Sequence, residues 1–348
     1  KLKRLTALLL SVMMVLSLAA CGGGGDTKDD SASGDLSGKT IIIGNITPVT
    51  GAQAAYGLAI TNSIQLAIAE INAAGGILGA TVKLSTKDDQ GTPAEAVSGF
   101  NSLLSEGASA IIGATLSSCT SAITSLADDE GIVLVTPSST ADSITTKDDY
   151  VFRSCFKDSF QGEMVAAYAK DQGWTKAAVL YATGDTYSSG LHDSFVKAAE
   201  KYGIEIVCEQ SSSDTGAVDF SSQLATIAAS GADMLFAPYY YDAVGPKIIP
   251  QAREAGFKGA IMGCDGFDGT QDYTTGDLSA YENVYFTNHY SPEDSSEIVQ
   301  NYVKNYTAKY GSESMNALGA LAYDAMYMVK QAIEKAGFKP GEDFMIAI

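Results

Sequence analysis

The segment that most constrains this chain is residues 109–140, SAIIGATLSSCTSAITSLADDEGIVLVTPSST. It reads as strand, loop, helix, strand, loop. Ala110, Ile111 and Ile112 make a short apolar run with β-branched residues, fit for a strand buried on both faces. Gly113 breaks the run. Ser117, Ser118 and Thr120 stand where a helix begins, and Ile123, Leu126 and Ala127 give that helix an apolar stripe. Gly131 ends it, and residues 132–135 return as a second strand, followed by Pro137, Ser138, Ser139 and Thr140. Two parallel strands joined by a helix commit this region to an open α/β sheet, and each strand ends in a hydroxyl-rich loop. Ligands of such sheets bind at strand ends, and hydroxyls at a helix start suit a carboxylate or a phosphate. The same residues also serve as caps and turns, so this segment alone leaves both roles open.

The alternation extends in both directions. Residues 40–44 form a first buried strand, and a loop carrying Tyr56 leads into a helix ending near Ala73, with Ile60, Ile64, Ala67, Ile68 and Ile71 on one face. A strand over 81–88 and a helix from Pro93 follow. After residues 150–153 the pattern restarts: strands are predicted over 177–181, 204–209, 234–237 and 260–263, separated by helices. The fold class is therefore α/β, with two doubly wound lobes of mostly parallel strands around a central cleft. The expected boundaries are 40–157 for the first lobe and 158–287 for the second, with 288–348 returning to the first. Two helices, over about 295–310 and 314–336, make that return.

The ends of the chain read differently. Lys1, Lys3 and Arg4 precede an apolar run from Leu5 to Ala20, then Cys21. The run is short for a membrane span and has the charged start of an export signal. Leu18-Ala19-Ala20-Cys21 resembles the lipobox of bacterial lipoproteins, which implies cleavage before Cys21, lipidation of its thiol and a chain held at a membrane surface. Residues 22–39, rich in glycine, serine and aspartate, have little to bury and read as a tether.

A formal charge of −19 argues against nucleic-acid binding. Cys119, Cys155, Cys208 and Cys264 are too scattered for a disulfide framework, and no CxxC occurs. With only His192 and His289, a zinc site or a histidine triad has little support. No cofactor and no metal is expected.

Residues that look wasted on packing gather after strands: Ser117, Ser138 and Thr140 in the first lobe, Tyr187, Tyr241 and Asp265 in the second. Hydroxyls on one wall suit a carboxylate, an acid on the other suits a cation, and tyrosines add apolar faces. Together they describe a clamp for a zwitterion in an interlobe cleft.

Several motifs, in order, make the chain similar to the leucine/isoleucine/valine-binding proteins, amino-acid receptors of ABC importers with the type I periplasmic-binding fold. They are GAQAAYG at 51–57, INAAGGI at 71–77, Asp88-Asp89, SSCT at 117–120, TPSST at 136–140, Tyr187 with Gly190-Leu191, QAREAG at 251–256 and MGCDG at 262–266. The resemblance covers roughly residues 42–336. It implies α-carboxylate contacts from Ser117 and Thr140, a main-chain contact at Ser138, and an ammonium partner at Asp265, where glutamate is as frequent. It also implies aromatic contacts from Tyr187 and Tyr241, and a side-chain contact from Tyr56. Members usually continue past the position of Ile348, so the resemblance implies a chain that stops early. The expected function is an extracytoplasmic, lipid-anchored, monomeric receptor that hands an amino acid to a membrane permease. Alternatives are a receptor of the same fold for an amide or aromatic acid, or a ligand sensor for a membrane receptor. A serine hydrolase is disfavoured, because Ser117 and Ser118 lack a GxSxG elbow and a histidine partner.

Overall fold

A computed structural model describes residues 35–146 and 150–336. The proposed lipidation site Cys21, the export signal and most of the tether lie outside the described residues.

Ten strands make two sheets. The first holds β1 (Thr40–Thr47), β2 (Thr81–Asp88), β3 (Ala110–Ile112), β4 (Leu134–Thr136) and β5 (Val151–Arg153), in the order β2-β1-β3-β4-β5. The second holds β6 (Lys176–Ala182), β7 (Glu205–Ser212), β8 (Met234–Phe236), β9 (Ala260–Gly263) and β10 (Val284–Phe286), in the order β10-β9-β8-β6-β7. Every pairing is parallel. Read from its own first strand, each sheet has the order 2-1-3-4-5. Each therefore reverses direction between its first and third strands, and the crevice at that point opens beyond the strand C-termini. The fold places two such crevices in one molecule.

The connecting helices explain the burial. Helix α1 (Ala54–Ala73) buries Ile60, Ile64, Ala67 and Ile71 against β1, where Ile41, Ile43 and Ile46 are buried in turn. Helix α2 (Pro93–Ser105) has proline in its first turn and is capped by Thr92, whose hydroxyl accepts from the Glu95 amide. The predicted helix after β3 is two short ones, α3 (Ser117–Ser121) and α4 (Thr124–Glu130). The Thr120 hydroxyl donates to the Ala114 carbonyl over 3.0 Å and meets Ser139 Oγ at 2.5 Å, which pins the first turn to the loops beside it. Ile123, between the two, is fully buried. The three-residue edge strands β5 and β10 are too short to carry a legible alternation.

Between β5 and β6 the chain forms α5 (Asp158–Asp171), which packs on α6 (Thr186–Tyr202). Helix α7 (Ser221–Ala229) joins β7 to β8, and α8 (Tyr241–Ala243) with α9 (Ile249–Glu254) joins β8 to β9. After β10 come α10 (Glu297–Tyr310) and α11 (Ala317–Ala336), which pack on α1 beside the first sheet. Glu70 of α1 fastens them: its carboxylate accepts from Tyr323 Oη, from Tyr327 Oη at 3.0 Å and from Asn305 Nδ2 at 2.9 Å. Among the described residues no helix is long and apolar enough to cross a membrane, and none of the His, Cys, Asp and Glu groups is arranged to hold a metal ion.

Candidate ligand-binding site

The loops after β3, β4, β6, β8 and β9 meet over a small, tightly packed pocket lined by Tyr56, Thr115, Leu116, Ser117, Ser138, Tyr187, Tyr240, Asp265, Gly266 and Leu318. The loop after β3 turns at Gly113, whose φ of +142° and distance of 2.5 Å from a built Cβ to the Ile46 carbonyl oxygen admit only glycine. That turn delivers Thr115, Leu116 and Ser117 to the cavity.

On the first wall, Ser117 Oγ accepts from the Ala141 amide at 3.3 Å and keeps its own proton free to donate. Ser138 Oγ donates to the Thr115 carbonyl at 2.8 Å. Thr140 is fully buried and lies behind this wall instead of lining it. Its hydroxyl lies beside the carboxyl of buried Asp158. Burial pushes Asp158 well above the usual carboxyl range, opposed by the adjacent Thr140 hydroxyl.

On the second wall, Asp265 is 3% exposed and accepts from three side chains. Gln161 Nε2 and Tyr187 Oη reach Oδ1 at 2.9 and 3.0 Å, and His289 Nε2 reaches Oδ2 at 3.1 Å. Tyr187 Oη also accepts from the Gly266 amide at 2.8 Å. Its ring stacks on Tyr240 with centroids 5.0 Å apart and planes 16° apart. Burial drives the phenols of Tyr56, Tyr187 and Tyr240 well above their ordinary range, so all three remain neutral donors.

Three contacts join the walls. Tyr56 Oη donates to the Gly266 carbonyl at 2.6 Å, Gln53 Nε2 donates to Asp242 Oδ1 at 3.0 Å, and Tyr241 Oη donates to the Ala52 carbonyl at 2.9 Å while accepting from the Ala55 amide. The lobes are closed on one another.

Of the residues singled out in the sequence, Ser117, Ser138, Tyr187, Asp265 and Tyr56 line this cavity, and Thr140 and Tyr241 do not. Tyr241 faces an open groove on the other side of Tyr56, with Tyr273, Asp268 and Met315, and its hydroxyl is spent on the first lobe's backbone. Its neighbour Tyr240 faces the cavity. Three adjacent tyrosines point in different directions, and only the strand exit after β8 decides which faces in. Gln161, His289 and Leu318 were missed. Gln161 and Leu318 lie on helices and His289 follows the short edge strand β10, and nothing local distinguishes a buried glutamine on a helix from a packing residue.

Residues 40–347 match the family model described as periplasmic binding protein. A Leu/Ile/Val-binding protein homolog from Brucella melitensis is 31% identical over 306 residues, 85% of this chain and 79% of its own length. The chain belongs to the periplasmic binding protein family. Two solved structures agree in fold. A leucine binding protein from Thermotoga maritima has a TM-score of 0.82 at 32% identity, with 88% of this chain and 86% of that one covered. A branched-chain amino acid transporter substrate binding protein from Streptococcus pneumoniae, in complex with isoleucine, has a TM-score of 0.80 at 32% identity, with 89% and 87% covered. The two-sheet architecture of this periplasmic binding protein is thus the type I fold, and the closed cavity lies where its two switch points meet.

Proposed function

We propose that this chain is the substrate-binding protein of an ABC importer and that its ligand is a branched-chain or other α-amino acid. One observation carries the ligand class. A small closed cavity sets a free hydroxyl proton on Ser117 against a carboxylate on Asp265, with apolar and aromatic walls between. The ligand carboxylate lies at Ser117 and the Ser138–Thr140 loop, the ammonium at Asp265, and the side chain against Tyr56, Leu116, Tyr240 and Leu318. Relatives named for leucine, isoleucine and valine support the same class.

Binding draws the lobes together, because contacts from both walls exist at once only in the closed form. The lobes divide near residues 157 and 288. The closed receptor is a monomer that docks on a membrane permease, outside the cytoplasm, with Cys21 as its lipid anchor.

A thermal-shift screen of amino acids, short amides and aromatic acids tests the ligand class. A ligand at ~100 times its dissociation constant adds about 2.7 kcal/mol to the folded state. Leucine, isoleucine or valine should raise the melting temperature. A shift only with ligands that lack an ammonium group refutes the amino-acid reading.

A further inference from the structure

His289 stands in the segment where the chain returns from β10 to α10, and its side chain is 1% exposed. Its two ring nitrogens have different partners. Nε2 lies 3.1 Å from Asp265 Oδ2, and Nδ1 lies 3.4 Å from the backbone nitrogen of Phe156, in the segment where the chain leaves β5 for α5. The Phe156 ring also covers the imidazole, with centroids 4.7 Å apart. A backbone N–H can only donate, so Nδ1 carries the lone pair and Nε2 carries the proton. His289 is therefore held as a neutral imidazole.

The consequence falls on Asp265. Its three donors, Gln161, Tyr187 and His289, are all neutral. They fix the carboxylate without cancelling its charge. A carboxylate offers about four acceptor directions, so one remains, on Oδ2. We infer that neutral His289 is a positioning residue for the ligand's cationic group: it ties Asp265 to both chain crossings and leaves its negative charge for the ligand. This inference rests on the amino-acid reading of the cavity.

The test pairs calorimetry with L-leucine at pH 8 with nitrogen NMR of the imidazoles. The chain has two histidines, so H289Q assigns the spectrum by loss of one set of signals. H289L, which can neither donate to Asp265 nor accept from Phe156, should weaken leucine binding roughly tenfold or more. H289Q can do both, and should recover most of that loss. NMR at pH 8 should place the His289 proton on Nε2. A proton on Nδ1, or an H289L protein that binds leucine as tightly as wild type, overturns the inference while leucine binding stands. No binding of any α-amino acid by wild type overturns the amino-acid reading, and this inference with it.

Discussion

The hydroxyl of Tyr56, on the first lobe, donates to the carbonyl of Gly266, on the second, over 2.6 Å. The Gly266 amide donates to Tyr187, and Tyr187 donates to Asp265. One chain of hydrogen bonds thus runs from the closing contact to Asp265, the acid proposed to anchor the ligand. The same residue that accepts the closing contact helps hold the carboxylate. On the proposed reading, ligand binding and closure are coupled through these atoms, which opens the coupling to single substitutions.

Tyr56→Phe removes the first link and leaves a buried carbonyl short of its donor. The ring still packs edge-on against Tyr241, so the fold should survive. Leucine affinity should fall by about 1–2 kcal/mol, measured by calorimetry, with the ligand-free melting temperature little changed. Unchanged affinity would detach closure from this bond.

Asp265→Asn keeps the shape and removes the charge. With the ligand ammonium buried opposite a neutral amide, affinity should drop by about 2–5 kcal/mol. Wild-type affinity for leucine in this variant would remove Asp265 from the ammonium site.

Gly266→Ala tests the crowding around the chain of bonds. A Cβ there lies 2.7 Å from Tyr187 Oη and 2.7 Å from the Tyr239 carbonyl oxygen. The tyrosine must move off Asp265, so urea unfolding should show a loss of about 1–3 kcal/mol and calorimetry a loss of leucine binding. A variant as stable and as tight as wild type would contradict the packing.

Asp89 gives the pH prediction. It is fully buried, its Oδ2 lacks a partner among the described residues, and burial pushes its carboxyl up to about 6. An acid raised above its unfolded value of 3.8 binds its proton more tightly when folded. Its cost to stability is therefore absent below pH 4, grows as pH rises from about 4 to about 6, and is complete above that. Asp89→Asn retains an acceptor for the Gly91 amide, which lies 2.9 Å away. It should stabilise the protein by about 1–3 kcal/mol near pH 8 and by almost nothing near pH 4. Equal effects at both values would mean that the charge is not the cause.

What the sequence determined by itself is the alternation. Short β-branched runs such as 110–112, separated by helices with apolar stripes, admit only a parallel sheet covered on both faces, and a restart after residue 153 means a second one. It also placed Ser117, Ser138, Tyr187 and Asp265 at strand exits, because strand ends are marked locally by the break in the apolar run. Tertiary structure alone decided which exits face the cavity. Tyr240 and Tyr241 are neighbours with the same side chain, yet the first lines the cavity and the second bonds to the opposite lobe. Gln161 and His289 reach Asp265 from 104 and 24 residues away, and no local pattern encodes such a meeting. Periodicity records which face of an element is buried, whereas a site records which elements come together, and that is settled only when the sheets have closed.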